Sequence, residues 1–110
     1  MSKFMILYRS PVSPREMMEN ATPEQLQAGL AAWQTWAGKV GYALTDLGAP
    51  VAHTTHVGAG TAGSGDVCGY SILEAGSAEE VDTILDGHPH LDQPGNSVEV
   101  FELLPMGDMG

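Results

Sequence analysis

Positively charged residues are scarce in this sequence. Its 110 residues include four lysines and arginines but 14 aspartates and glutamates, for a formal net charge of −10. An acidic chain repels phosphate backbones and anionic lipid headgroups, so we expect neither a nucleic acid nor a membrane as its partner. The charge is still compatible with a small anionic ligand, because all four cations fall in the first 40 residues: Lys3, Arg9, Arg15 and Lys39.

Cysteine and long apolar runs are also rare. The one cysteine, Cys68, excludes an intrachain disulfide, and nothing indicates an oxidising compartment. No apolar run approaches the length of about 18 residues that a membrane-spanning helix needs, and the run Phe4–Tyr8 is far shorter than the core of a secretion signal. We therefore expect a cytoplasmic protein with one domain over residues 1–110.

No cofactor motif is recognisable. Residues 58–65 (GAGTAGSG) are rich in glycine, but a phosphate-binding loop requires Lys and then Ser or Thr after its last glycine, and a dinucleotide loop leads from a strand into a helix. Here Asp66 follows, and after it a strand pattern. The segment is typical of a hairpin connection, and we expect no cofactor.

Two helix starts are clear. Residues 22–25 (TPEQ) combine an N-cap threonine, a proline at the first helical position and a glutamine three residues after the cap, which predicts a helix over Pro23–Val40 ended by Gly41. Residues 77–80 (SAEE) repeat the capping pattern and predict a helix over Ala78–Asp86. The first helix carries an apolar stripe at steps of three and four: Leu26, Leu30, Trp33, Ala37 and Val40.

Strands are predicted from β-branched, aromatic and alternating residues. They cover residues 3–9, two pieces at 42–47 and 51–57 separated by a break at 48–50, and then residues 67–75 and 97–104. Residues 15–20 receive no firm assignment. The resulting order is β-α-β-β-α-β, an α+β ferredoxin-like fold with a four-stranded antiparallel sheet and both helices on one face.

The second face of that sheet predicts a partner. In the first strand, Phe4, Ile6 and Tyr8 point one way while Met5 and Leu7 point the other, so both faces are apolar. Two helices cover only one face. We therefore expect a homodimer in which a second copy covers the other face.

The pair His88 and His90, on either side of Pro89, follows the second helix. The negative end of the helix dipole favours an imidazolium there, which predicts a raised histidine pKa. One interpretation is a capping cation and a turn. The other makes His88 an acid or base in catalysis and His90 a ligand-binding group in a cleft.

Other candidate residues lie on or beside the strands. Asp46 is either a catalytic carboxylate or a solvent-facing edge residue, and Tyr8 with Arg9 either binds a small anion or belongs to the core and its rim. His53 and His56 have a spacing that places their rings on opposite faces of a strand, which argues against a shared metal. We expect no metal site.

Several segments together resemble the YCII-related family. They are KFMILYR, the Trp-rich first helix, LTDLGAP, GYSILEA with its capped helix, GHPHL and SVEVFELLPM, and they cover residues 3–106. The resemblance implies a dimeric α/β barrel in which two sheets meet around a cleft, with a His/Asp pair proposed in the cleft. The family has a segment with a proline after its second helix, and GHPHL matches that segment. The resemblance therefore implies that His88 occupies the position of the family's functional residue there.

Three functions follow from the sequence and the resemblance. The first is the binding of a small aromatic or carboxylate metabolite in the cleft of the dimer. The second is a cofactor-free enzyme of the lyase, isomerase or dehydrochlorinase type, in which His88 acts as the acid or base. The third is a structural dimer without activity.

Overall fold

The computed structural model of the chain describes residues 1–60 and 66–106. Four strands form one antiparallel sheet in the order β2-β3-β1-β4, which confirms the predicted α+β ferredoxin-like fold. No helix in the described ranges is long and apolar enough to cross a membrane. The elements are β1 (Ser2–Arg9), α1 (Pro14–Asn20), α2 (Pro23–Val40), β2 (Leu44–Pro50), β3 (Val67–Ala75), α3 (Ala78–Leu85) and β4 (Ser97–Glu102), with 3-10 turns at Gly41–Ala43 and Pro89–Asp92.

Helix α2 has the bounds that its capping residues predict. The Thr22 hydroxyl accepts a hydrogen bond from the Gln25 amide at 3.2 Å, and the Gln25 side chain accepts one from the Thr22 amide at 2.9 Å. This reciprocal pair satisfies two amides that have no partner within the helix. At the other end Gly41 has φ 65°, a left-handed conformation that glycine adopts without strain.

Helix α1 is an element that the sequence analysis did not assign. Ser13 caps it by accepting a hydrogen bond from the Glu16 amide at 3.2 Å, and Pro14 occupies the first turn. The same Ser/Thr-Pro combination begins α2, so the pattern was present in the sequence. No residue of α1 is buried, which explains why its apolar periodicity gave no prediction.

Strand β2 differs from its prediction. It continues through residues 48–50, and residues 51–57 form no strand. Gly48 makes this continuation feasible, because its φ of +80° accompanies two register shifts against β3. A Cβ atom on Gly48 would lie 1.7 Å from the Tyr70 carbonyl oxygen, so only glycine fits this close approach. The predicted hairpin connection falls partly on residues 61–65, outside the described residues.

The sheet separates a covered face from an open one. Its core, between the sheet and the helices, contains Phe4, Ile6, Tyr8, Trp36, Leu73, Ala75, Val81 and Leu85. On the open face Met5 pairs with Ile72 and Phe101, and Leu7 pairs with Tyr70. The shortest dimension of the molecule is 20 Å, the thickness of one sheet and one helix layer. The alternation predicted along β1 is confirmed, because Phe4, Ile6 and Tyr8 are buried whereas Met5 and Leu7 are only partly so.

The predicted stripe of α2 is only half correct. Its C-terminal residues Trp33, Ala37 and Val40 pack against the core. Leu26 and Leu30 are 44% and 58% exposed, and no residue of the N-terminal half of this helix belongs to the core. Periodicity identified the apolar face of the helix but not how much of that face is buried.

We predict opposite effects for two Gly→Ala substitutions. Gly48→Ala is expected to lower the free energy of unfolding by at least about 2 kcal/mol, because a Cβ there is strained and collides with backbone. Gly29→Ala, in the exposed interior of α2 with open space around it, is expected to raise it by about 0.5 to 1 kcal/mol. Urea unfolding measures both, and a neutral effect of Gly48→Ala would contradict the proposed close approach.

Candidate functional site

His88 occupies a closed aromatic cluster on the helix-covered side of the sheet. Its amide donates to the Leu85 carbonyl at 3.0 Å, which turns the chain inward after α3. The side chain is 0% exposed. Ring centroids of Trp36, Trp33 and Tyr8 lie 4.2, 4.5 and 5.0 Å from that of His88. The imidazole therefore fills the space between α2 and β1 as a core aromatic would.

The hydrogen bonds of His88 determine its tautomer. Its Nδ1 accepts a hydrogen bond from the His90 backbone amide at 2.9 Å, so Nδ1 carries a lone pair and the proton of the neutral ring is on Nε2. Within residues 1–60 and 66–106, His88 Nε2 is the buried side-chain polar atom that has no hydrogen-bond partner. The ring therefore offers a proton at Nε2 and has no free lone pair to act as a base.

The predicted raised pKa of His88 is wrong. Burial, with a smaller repulsive contribution from His90, lowers the pKa of His88 from its ordinary 6.5 to about 4. A helix dipole favours an exposed imidazolium by about 0.3 to 1 kcal/mol, whereas removing the charged ring from water among indole rings costs more than this. His88 is therefore neutral near pH 7 and is not a capping cation.

Tyr8 is part of the same cluster and is 1% exposed. Its hydroxyl donates to Ser71 Oγ at 2.9 Å, and Ser71 Oγ donates to the Leu47 carbonyl at 2.6 Å. Burial raises the pKa of Tyr8 to about 12, with the bond to Ser71 acting weakly in the opposite direction. Tyr8 is thus a neutral core residue whose hydroxyl links β1 to β3 and β2.

His90 holds the end of β1 beside the start of β4. Its Nε2 lies 2.9 Å from the Arg9 carbonyl and 3.1 Å from the Ser97 carbonyl. Since both partners accept hydrogen bonds, Nε2 carries a proton. The Asn96 side-chain amide donates to the His90 carbonyl at 3.0 Å. All these contacts fix backbone, and the ring is 9% exposed.

Arg9 and Asp46 lie outside the aromatic cluster. Arg9 forms ion pairs with Asp66, at 2.5 Å, and with Glu99. Asp46 is exposed, its carboxylate accepts a hydrogen bond from the Gly48 amide at 2.8 Å, and its strand partner is Ile72 of the open face. The structure therefore brings Tyr8, His88 and His90 together and leaves Asp46 on another surface of the chain.

Three residues that complete the cluster were not among the sequence-based candidates. Trp33, which belongs to the apolar stripe of the first predicted helix, and Trp36 supply two of the rings that pack edge-on against His88. Two tryptophans three residues apart lie on the same face of a helix, and this spacing was the signal in the sequence that could have identified them. Ser71 had no such pattern, because its role depends on the register that places it beside Tyr8.

His53 and His56 show no shared metal geometry. In the described part of the chain, no three His, Cys, Asp or Glu side chains are grouped so that they would hold a metal ion. His56 Nε2 lies 2.6 Å from the Gly60 carbonyl.

Comparison with known proteins gives a likeness among solved structures. No family model matches the chain, and no curated protein matches it. Among solved structures it is similar to 5-chloro-2-hydroxyhydroquinone dehydrochlorinase from Burkholderia phenoliruptrix AC1100, determined in complex with 2,5-dihydroxybenzoquinone. The TM-score is 0.56 at 20% sequence identity, over 93% of each chain.

A likeness at that identity shows the fold. The fold agrees with what the resemblance to the YCII-related family implies. Membership of that family stays a prediction.

We predict that His88 makes stability depend on pH. As pH falls from 6.5 towards 4, the unfolded chain binds a proton at His88 that the folded chain does not. The free energy of unfolding therefore decreases by up to about 3 kcal/mol from this residue, and the stabilisation is fully present above the unfolded pKa. Urea unfolding at pH 7 and at pH 4.5 measures the change.

His88→Phe is the matched variant for this prediction. At pH 7 it is expected to be less stable than the wild type by about 1 to 3 kcal/mol, because the His90 amide loses its acceptor. At pH 4.5 the difference should shrink or reverse, because Phe has no proton to bind. A difference of the same size at both pH values would contradict the assignment of a buried neutral imidazole.

Proposed function

We propose that this protein is a homodimer that binds a small aromatic or carboxylate metabolite in the cleft between two facing sheets. The observation that supports this most directly is the open face of the sheet, which is covered by no helix of the described residues. The proposal accounts for an apolar surface that the fold itself leaves unburied. It also agrees with the fold likeness to a dehydrochlorinase that was determined with a dihydroxybenzoquinone.

The open face has the composition of an interface. Its centre is apolar, while charged residues surround it. Lys3 pairs across the strands with Glu74 at one end, and Arg9 bonds to Glu99 and Asp66 at the other. The apolar centre consists of Met5, Leu7, Tyr70, Ile72 and Phe101.

A second copy is the partner that we propose for this face. Two such sheets brought together bury the apolar centres against each other, and Phe101, 41% exposed in one chain, loses its contact with water. A symmetric pairing also keeps the charged rims at the periphery of the interface. The space left between the two twisted sheets forms the ligand cleft.

The residues proposed to act on the ligand divide into two groups. Arg9 and Asp46 belong to strands at positions that border the open face, where they would meet a carboxylate or a hydroxyl group. Tyr8 and His90 lie behind β1 and hold it in place through Ser71 and the Arg9 carbonyl. We propose ligand contact for the first group and a positioning role for the second.

A cofactor-free enzyme of the lyase, isomerase or dehydrochlorinase type is the alternative, and one observation favours it. His88 Nε2 is buried without a partner, and such an atom at a cluster of titratable groups is typical of functional sites. In its present tautomer His88 would act first as an acid, donating the Nε2 proton. Since His88 is 0% exposed, a substrate would reach it only after a movement of the side chains that enclose it.

We predict that Leu7→Lys dissociates the dimer. Leu7 pairs with Tyr70 and Glu99 in the middle of the sheet. A lysine there brings a charge into the apolar centre of the interface, and its desolvation costs more than a pairing with Glu99 returns. Sedimentation velocity at micromolar concentration should give twice the 11.6 kDa chain mass for the wild type and the single mass for the variant. Gln34→Lys, which adds the same charge to exposed α2, should remain dimeric. A monomeric wild type would refute the proposal.

We predict that a small ring compound raises the melting temperature. A ligand at 100 times its dissociation constant stabilises the protein by about 2.7 kcal/mol. The screen compares 2,5-dihydroxybenzoquinone and hydroxybenzoates against the wild type, Leu7→Lys and Gln34→Lys. Stabilisation of the wild type and of Gln34→Lys, lost in Leu7→Lys, supports a cleft formed by the dimer.

The same screen separates the alternatives. Stabilisation without turnover supports binding. Chloride release from a chlorinated hydroquinone, abolished by His88→Phe while binding persists, supports the enzyme. A dimer with no response to any compound would leave only the structural role.

A further inference from the structure

A small polar cleft lies apart from the aromatic cluster, next to the charged rim of the open sheet face, with which it shares Asp66. It is situated where β1 ends, α1 begins and β3 starts, and its volume is about 170 Å³. At about 30 Å³ per water molecule, this is room for roughly six water molecules or a ligand of similar size. The lining residues are Ser10, Ser13, Pro14, Arg15, Val51, Ala52, His53, Asp66, Val67 and Cys68.

Two serine hydroxyls in this cleft are set up to donate. Ser10 Oγ accepts a hydrogen bond from the Val12 amide, and Ser13 Oγ accepts one from the Glu16 amide, each at 3.2 Å. In each serine the oxygen is thus engaged, which leaves the hydroxyl hydrogen to find an acceptor. Neither hydrogen has an acceptor within residues 1–60 and 66–106, although Ser10 is only 7% exposed. Each hydroxyl can therefore turn its hydrogen towards water or towards an acceptor bound in the cleft.

Arg15 supplies positive charge to the cleft. In the described residues the salt bridges involve Arg9, and none involves Arg15. The carboxylate in the lining, Asp66, directs Oδ1 to Arg9 at 2.5 Å. The cleft therefore combines a guanidinium that forms no ion pair among the described residues with two hydroxyl groups, within a chain whose net charge is −10.

We propose that this cleft binds the carboxylate group of a short aliphatic acid. The guanidinium of Arg15 presents paired N–H donors that match the two oxygens of a carboxylate, and Ser10 and Ser13 supply the neutral donors. Apolar side chains in the same lining, Val51 and Val67 among them, accommodate a chain of two or three carbons. The volume excludes a ligand much larger than this.

The test follows the two backbone amides that touch the serines. We would titrate ¹⁵N-labelled protein with sodium propionate, and with sodium chloride at equal ionic strength, and record the amide signals of Val12 and Glu16. Propionate should shift both signals to saturation, because it changes the hydroxyls to which these amides donate. Chloride, propionamide and propylamine should not give saturation.

The variant Arg15→Gln tests whether propionate binding requires the positive charge of Arg15. Arg15 is exposed, so its replacement leaves the fold intact, and the loss of a charged hydrogen bond should weaken propionate binding roughly tenfold or more. Lys39→Gln removes the same charge from the end of α2, outside the lining of the cleft, and should leave the affinity unchanged. Ser10→Ala should weaken binding while leaving the Glu16 signal in its original position.

Several outcomes would overturn the proposal. Equal affinity in Arg15→Gln and the wild type would do so, as would saturable binding of propylamine or of inorganic phosphate without any response to propionate. The test is independent of the dimer cleft, because none of these variants lies on the open sheet face. Leu7→Lys should retain propionate binding, so failure of either proposal leaves the other standing.

Discussion

The neutral ring of His88 is packed between rings contributed by both layers of the fold, with Trp33 and Trp36 on α2 and Tyr8 on β1. This contact holds the loop after α3 against the core, and it aims the Nδ1 lone pair at the His90 amide. His90 can then bond the carbonyls at the end of β1 and the start of β4. The alignment of these two strands therefore depends on an imidazole that stays uncharged.

A second set of bonds continues from the same cluster across the sheet. The Tyr8 hydroxyl reaches Ser71, and Ser71 reaches the Leu47 carbonyl, so one short polar path connects β1, β3 and β2. All of its groups are supplied from the covered side. The strands that form the open face are therefore held in place by hydrogen bonds on the opposite side of the sheet. This support helps the open face to keep its shape when a partner or a ligand contacts it.

The parts of the fold that depend on local chemistry could be predicted from the sequence. The capping boxes located α2 and α3 to within a residue, and alternation in β1 assigned its two faces correctly. The course of β2 could not be predicted, because it depends on Gly48 approaching the Tyr70 carbonyl from another strand. The protonation of His88 was missed for a related reason, since the helix dipole is visible in the sequence and the surrounding indole rings are not. The separation of Asp46 from His88 likewise depends on register.

The position of β1 in the sheet has a consequence for how the chain acquires its structure. The first strand of the sequence lies between β3 and β4, and the bond from His90 to the Arg9 carbonyl spans 81 positions in the chain. Contacts between residues so far apart in the sequence form late in folding, because closing the large loop between them costs conformational entropy. During synthesis β1 therefore waits with an unpaired edge until β4 emerges from the ribosome. The nascent chain is most prone to aggregate in that interval.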